Sequence, residues 1–163
     1  MASTKHTIIA LVEDKPGVLN RAASLFRRRG FNIQSLAVGG SENAGLSRMT
    51  IVVGGDSAEV EQVRKQLDKL INVVKIADIT DAKIVTRELA LIKVKATAAT
   101  RSEIMQIVDI FRANIIDVAS SSLTVEVTGD EDKINSLLEL LRSFGIKELS
   151  RTGRIALTRG STS

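Results

Sequence analysis

The sequence predicts an α+β protein of two consecutive βαββαβ units, each with two helices on one face of an antiparallel sheet. In short runs apolar residues alternate with polar ones, and in longer runs they recur every three to four residues. The order of these runs in the first half repeats in the second half. With 44% hydrophobic and 26% charged residues, the 163-residue chain has the composition of well-packed globular domains.

The first unit begins with a strand at 7–13 and continues with a helix whose apolar residues recur at helical spacing. Pro16 suits the first turn of that helix, and Gly30 suits the position just past its end. Two strands follow, in FNIQSLAV and SRMTIVV, separated by the turn GGSENAG. Asp56 with Glu59 resembles a capping box for a second helix, and NVVKIADI closes the unit as a strand.

The second unit repeats this order, beginning with a strand at 88–96. Thr100 with Glu103 resembles a capping box for the next helix, and Asp130 opens the last helix, which Gly145 ends. Between those helices lie the short strands IIDVA and SLTVEVT, and IKELSRTGRIAL supplies the last extended segment.

The join between the units lies near TDAKIVTR (80–87), where apolar periodicity lapses, so we predict domains at 1–80 and 81–163. Strands such as TIIALV are apolar on both faces, which predicts that the second face of the sheet is covered too. A unit of about 75 residues has only a modest core, and we therefore expect an oligomer.

Composition argues against several function classes. Cysteine is absent, which excludes disulfides, thiolate metal sites and thiol nucleophiles. The single histidine, His6, makes neither a triad nor a metal cage, and we expect it to be exposed to solvent. No carboxylate lies beside a recognisable nucleophile motif, so no catalytic site is predicted.

The net charge of +4 raises nucleic acid as a partner. RNA-recognition modules share the βαββαβ order but stack bases on aromatic residues of their central strands. The four phenylalanines here fall on helical stripes or beside helix ends, which argues against nucleic-acid binding. Arg27, Arg28 and Arg29 can be a solvated helix end that complements the helix dipole, or a contact for a protein or nucleic-acid partner.

The turn EDKPG, between the first strand and the first helix, allows two interpretations. It lacks the spaced glycines of a nucleotide-binding loop. As a plain strand-to-helix turn, it would have its φ fixed at Pro16, and Gly17, which lacks a side chain, would leave room for the tight turn. As a binding site, the helix N-terminus would accept a carboxylate and Asp14 would pair with an ammonium group, the two charges of a free amino acid. The matching turn of the second half, TAATRSE, has neither Gly nor Pro, so any such site is expected only in the first half.

EDKPGVLNRAASLFRRRGFNIQSLAV, LSRMTIVV, ELALIKV, IFRANIIDV and SRTGRIAL occur in this order, and together they resemble the regulatory (small) subunits of acetolactate synthase, also called acetohydroxyacid synthase. The PGVL turn by itself is typical of an ACT domain, the ferredoxin-like βαββαβ module that senses amino acids. The resemblance runs from about residue 6 to 159.

The resemblance implies a chain without catalysis of its own. It would bind the catalytic (large) subunit, which carries thiamine diphosphate, Mg and FAD, and would bind no cofactor itself. It would activate that partner and confer feedback inhibition by a branched-chain amino acid, chiefly valine. The carboxyl-terminal half, with Arg151 and Arg154 exposed, would help to dock or activate the catalytic subunit. The expected location is the cytoplasm, or the plastid in a plant or alga, without membrane insertion.

The family also implies a homodimer through the ACT domains, with effector sites at the interface. Carried over, the effector-binding residues are Asp14, Gly17, Val18 and Leu19 of one chain and Asn32 and Ile33 of its neighbour. Backbone N–H groups from Gly17 to Leu19 would hold the carboxylate, Asn32 would donate and accept hydrogen bonds, and Val18 and Ile33 would wall an aliphatic pocket. Bacterial members often have Asn in place of Asp14, whose charge favours the ammonium group and repels the carboxylate. An alternative function is an ACT module that regulates a different enzyme.

Overall fold

In a computed structural model, which describes residues 4–160, the chain divides into two compact units. The first unit contains the residues up to Val85 and also those from Arg154 onward, whereas the second is Thr86–Gly153. The predicted boundary at residue 80 lies close to the division after Val85. The last segment, from Arg154 onward, is predicted to belong to the second domain but groups with the first unit.

The first unit has the predicted βαββαβ order. Its elements are β1 (Thr4–Glu13), α1 (Val18–Arg28), β2 (Ile33–Gly40), β3 (Leu46–Gly55), α2 (Ser57–Asp68) and β4 (Val73–Asp78). The four strands form an antiparallel sheet in the order β2-β3-β1-β4. The core between sheet and helices is built from the alternate strand residues and the helical stripes that the sequence predicts.

Helix α1 ends as predicted and begins later than predicted. The N–H of Gly30 donates to the carbonyl of Arg27 at 3.1 Å, and that of Phe31 donates to the carbonyl of Phe26 at 3.0 Å, which is a Schellman motif. The Phe26 and Phe31 rings meet edge to face with centroids 6.5 Å apart. Pro16, expected in the first helical turn, lies outside the helix because Gly17 precedes the first helical residue with φ 83°.

The face of the first sheet opposite the helices is also covered in part, as its apolar strands predict. Ile9, Ile79 and Ala156 form a small buried cluster there. Thr50 and Val52 of β3 are buried as well, so this strand is covered on both faces instead of the half-buried pattern that its alternation predicts.

The second unit repeats the βαββαβ order. Its elements are β5 (Ile84–Lys95), α3 (Arg101–Ile110), β6 (Asn114–Val118), β7 (Ser122–Gly129), α4 (Glu131–Leu141) and β8 (Ile146–Arg151). Its sheet has the strand order β6-β7-β5-β8. The final extended segment, predicted to be continuous, is divided into two strands. β8 ends at Arg151, and a further strand, β9 (Ile155–Thr158), follows and pairs with β5.

The predicted helix caps are confirmed at two of three positions. The Asp56 carboxylate accepts from the N–H of Ala58 at 2.8 Å, and Asp130 accepts from the N–H of Lys133 at 2.9 Å. The prediction for Thr100 is wrong: its hydroxyl accepts from the N–H of Thr97 at 2.9 Å and does not cap α3.

Arg151 is a structural anchor of the second unit rather than an unpaired contact residue. Its guanidinium donates to the carboxylate of Glu88, which is 9% exposed, and to Asn135 Oδ1 at 2.9 Å. These bonds tie β8 to β5 and α4. Arg151 is exposed as predicted, although its charge is already paired within the unit, whereas the expectation that Arg154 is exposed is wrong, because Arg154 is half-buried.

Candidate functional site

The loop between β1 and α1 is held in an open conformation at Gly17. With φ 83° this residue lies in the left-handed region, where any L side chain is strained. A Cβ built at Gly17 would meet no protein atom within 4 Å. The space in front of the helix is therefore unoccupied by the protein.

The first turn of α1 carries neither a side-chain cap nor an acidic residue. Helices α2 and α4, in contrast, are capped by Asp56 and Asp130. An uncapped N-terminus presents backbone N–H groups and the positive end of the helix dipole to a neighbouring anion. In the described part of the chain, the exposed Asp14 carboxylate has no hydrogen-bond or ion-pair partner that it would have to give up.

A network of hydrogen bonds and one ion pair holds the β1–α1 loop in place. The Glu13 carboxylate accepts from Asn72 Nδ2 at 2.9 Å and pairs with Lys15 Nζ at 2.8 Å, and these hydrogen bonds from Lys15 and Asn72 lower its pKa. Asn72 in turn accepts from Arg21 of α1 at 2.6 Å. The N–H of Asp14 donates to the carbonyl of Gly45 at 2.9 Å.

The sequence gives no signal for this network. Asn72 reads only as part of the turn before β4, and its contacts with Glu13 and Arg21 arise from the fold. Its position, bonded to both β1 and α1, fixes where the loop leaves the strand and enters the helix.

The structure separates the predicted site residues in one chain. Ile33 pairs with Val53, which pairs with His6 at the start of β1, whereas the loop follows Glu13 at the end of β1. At about 3.3 Å per strand residue, this places the two groups about 20 Å apart, at opposite ends of the sheet. Asn32 and Ile33 therefore do not complete the loop site within one protomer.

Val18 differs from its expected role as a pocket wall. Its side chain is 2% exposed and packs in the core of its own unit. Leu19, which is 42% exposed, is the apolar side chain that the first turn offers to a ligand. Val18 can contribute only its backbone to such a site.

The corresponding turn of the second unit is closed by its own side chains. The N–H of Thr97 donates to Thr100 Oγ1 at 2.9 Å, and the N–H of Thr100 donates to Thr97 Oγ1 at 3.3 Å. These reciprocal bonds hold the turn together, but α3, like α1, has no side-chain cap. The first turn of α3 differs from that of α1 in carrying the acidic Glu103, whose charge disfavours a bound carboxylate.

His6 is buried, at 6% exposure, contrary to the expectation of a solvent-exposed side chain. Its Nδ1 lies 3.0 Å from Asp78 Oδ2, and its Nε2 lies 3.5 Å from Ser57 Oγ. The alternation of β1 turns His6 toward the helices, on the same face as Ile8. Asp78, the last residue of β4, then lies beside His6, and no sequence pattern predicts this contact.

Asp78 predicts an acid-sensitive contribution to stability. Burial raises its pKa, but hydrogen bonds from the hydroxyl and N–H of Thr80 and from His6 outweigh that effect, so the pKa lies below its usual value. A carboxyl with a depressed folded-state pKa stabilises the fold above its unfolded-state pKa, and this stability is lost as the pH falls through the folded-state value. Below about pH 4 the free energy of unfolding should fall less steeply for Asp78→Asn than for the unmodified chain. Denaturant unfolding over a pH series measures both slopes, and equal slopes would contradict the assignment.

Other chemistry has little support in the described residues. Within 4–160, no group of three or more His, Cys, Asp or Glu side chains is placed to hold a metal ion. No helix in that range has the length and apolar character to cross a membrane. All four phenylalanines pack in or against the two hydrophobic cores, away from a base-stacking surface.

Comparison with known families identifies both halves. Residues 8–75 match the model of the "AHAS small subunit-like ACT domain", and residues 87–160 match that of the "Small subunit of acetolactate synthase". A probable acetolactate synthase small subunit of Archaeoglobus fulgidus is 58% identical over 96% of this chain and 98% of its own length. The acetolactate synthase small subunit of Mycobacterium bovis is 55% identical over 98% and 95%.

A solved structure agrees with these relatives. The acetolactate synthase small subunit of Thermotoga maritima superposes with a TM-score of 0.89, at 42% identity, and covers 98% of this chain and 99% of its own. The likeness therefore extends over both units and over the last strand.

Proposed function

The chain belongs to the family of acetolactate synthase small subunits, the regulatory and non-catalytic partners of the large subunit, and on this premise we propose that it activates that subunit and makes it sensitive to a branched-chain amino acid. We place thiamine diphosphate, Mg and FAD on the catalytic partner. The proposed location is the cytoplasm, because the relatives described above come from an archaeon and a bacterium, or the plastid if the source is a plant or alga.

The observation that carries the effector proposal is the separation of the two groups of site residues. The loop with Asp14 and Gly17 lies at one end of the sheet, and Asn32 and Ile33 lie at the other. A two-fold axis beside the edge strand β2 reverses the direction of the second sheet. It would bring Asn32 and Ile33 of the second copy to the end that carries the loop of the first copy. A homodimer through the ACT units would therefore complete two equivalent sites.

The chemistry of the loop suits a free amino acid. The uncapped first turn of α1 would accept the carboxylate through the N–H groups from Gly17 to Leu19. The unpaired Asp14 would receive the ammonium group. Leu19 and the second chain's Ile33 would enclose a small aliphatic side chain, with Asn32 offering a donor and an acceptor.

Calorimetry of the chain with L-valine, L-leucine and L-isoleucine tests the effector site. We expect one amino acid bound per chain, with D-valine as the control that keeps both charges but misplaces the side chain. The same chain added to the acetolactate synthase large subunit should raise its rate, and the bound amino acid should lower that rate. Activation without binding of any of the three amino acids would refute the effector site. Failure to co-purify with or activate the large subunit would favour the alternative, an ACT module for a different enzyme.

A further inference from the structure

Ile71 is the most exposed large hydrophobic side chain in the described part of the chain, at 92%. It lies in the turn between α2 and β4, and Val74, three residues later, is 56% exposed. Three residues of chain span at most about 10 Å, so the two side chains belong to one surface. Single exposed apolar residues are common, whereas an exposed pair at one edge of a sheet is a candidate contact for another protein.

The turn that carries Ile71 is held by hydrogen bonds on both sides. The N–H of Val73 donates to the carbonyl of Leu70 at 3.1 Å. The Asn72 carbonyl accepts from the N–H of Glu13 at 2.8 Å, and the Asn72 side chain forms the bonds to β1 and α1 described above. The backbone around Ile71 is therefore fixed before a partner binds, which keeps the entropic cost of binding low.

A β-bulge turns Val74 out of the core. Leu11 pairs with Lys75, and the next residue, Val12, pairs with Val73. Val74 is therefore the extra residue on β4. Val73 packs in the first core, whereas Val74 and Lys75 are both exposed. The bulge thus presents two successive side chains to solvent, where a regular strand would alternate between the two faces of the sheet.

The strand β4 lies at an edge of the first sheet, beside β1. Its outer side presents backbone N–H and C=O groups that a further strand or a side chain of a partner can bind. The proposed homodimer uses β2, which lies at the opposite edge of the same sheet. It leaves β4 available for a different partner.

Two lysines flank the apolar pair. Lys69 and Lys75 are exposed, and neither ammonium group has a hydrogen-bond or ion-pair partner among residues 4–160, the neighbouring Asp68 included. Across a two-fold axis these cations would face copies of themselves, so a second copy of the chain is disfavoured here. A partner that combines aliphatic side chains with carboxylates fits this surface.

We propose that Lys69, Ile71, Val74 and Lys75, here called the β4-edge surface, dock the acetolactate synthase large subunit. The segment of the large subunit that binds there would offer aliphatic side chains flanked by carboxylates. The apolar pair at the centre would supply most of the affinity, and the lysines at the rim would act mainly on the rate of association. This inference rests on the proposed function and adds a surface that makes the contact. It is a contact of the first unit, separate from any that the carboxyl-terminal half supplies.

The test is the double variant Ile71→Ser with Val74→Thr in the full chain, titrated into the large subunit. Both side chains are exposed, so the melting temperature should change by no more than about 3 °C. We expect the concentration of chain that gives half-maximal activation to rise about tenfold or more, with L-valine binding by calorimetry unchanged. Ile110→Ser is the matched control, because Ile110 is 77% exposed on α3 of the second unit, and it should activate like the unmodified chain.

The charge of the β4-edge surface is tested separately. Lys75→Glu should raise the concentration for half-maximal activation more than Lys75→Gln, because only the glutamate repels the carboxylates of the partner. The difference between these variants should shrink as the salt concentration rises, since ions screen exposed charges. Lys147→Glu, at an exposed lysine of β8, is the control and should activate normally.

Each result decides between the possibilities. Normal half-maximal activation by the double variant would overturn the docking surface, and so would an equal loss with Ile110→Ser. Equal effects of Lys75→Glu and Lys75→Gln would overturn the acidic character of the partner segment. Loss of L-valine binding, or dissociation into monomers in sedimentation velocity, would also overturn the proposal, because these residues would then serve the effector site or a contact between copies. Failure of the unmodified chain to activate the large subunit would refute the proposed function instead.

Discussion

Replacing Gly17 with Asp is expected to abolish inhibition by the effector while leaving activation of the large subunit intact. The new carboxylate would stand at the uncapped N-terminus of α1, in the open space that the effector carboxylate is proposed to occupy. Repulsion between the new carboxylate and the effector carboxylate, which would share the same space, should lower the affinity for the effector on the order of tenfold or more. Titration of the reconstituted enzyme with L-valine measures the inhibition, and calorimetry measures the affinity.

Gly17→Asn is the matched control for this prediction. Asn and Asp have nearly the same size, and both adopt the left-handed conformation more readily than other side chains, so they share the strain at φ 83°. The Asn variant should lose less affinity than the Asp variant because it adds no charge. Equal losses would mean that space, not charge, is decisive, and normal inhibition of Gly17→Asp would refute the site.

Replacing Phe26 with Ala is expected to lower the free energy of unfolding by about 3–5 kcal/mol. The side chain is fully buried in the first core and meets Phe31 at the Schellman turn that ends α1. Its loss would leave a cavity and remove the contact that fixes this helix end. The chain contains neither Trp nor Tyr, so denaturant unfolding is best followed by far-ultraviolet circular dichroism.

Leu140→Ala provides the control for Phe26→Ala. Leu140 is about half exposed on α4, so its truncation should cost less than about 1 kcal/mol. A cost of the same small size for Phe26→Ala would contradict the core position of this ring.

Much of the fold can be predicted from local patterns, because the spacing of the apolar residues distinguishes the strands of each βαββαβ unit from its helices. The capping residues Asp56 and Asp130 and the turn at Gly30 were predictable for the same reason, since each acts within a few residues of its own position. Thr100 was mispredicted because its hydroxyl accepts from the backbone N–H of Thr97, which precedes it, instead of from an N–H of the first helical turn. Pairing over long separations has no such local signature.

The candidate loop can be located in the sequence from its glycine and the charges beside it, but the contacts that support the loop cannot. The burial of Val18 depends on the rotation of α1 against the sheet, which places that side chain in the core and Leu19 outside. The bonds of Asn72 to Glu13 and Arg21, and that of His6 to Asp78, join residues far apart in sequence. One sequence contains no local pattern that pairs them.

The final strand, β9, belongs to the first unit, so this unit is built from two separate parts of the sequence. A fragment that stops near residue 80 would lack Ala156 and uncover Ile9 and Ile79, a surface prone to self-association. Restoring such a fragment calls for grafting the terminal strand back through a designed linker. Progressive shortening from the carboxyl end would accordingly damage the first unit before it removes any residue of the second unit.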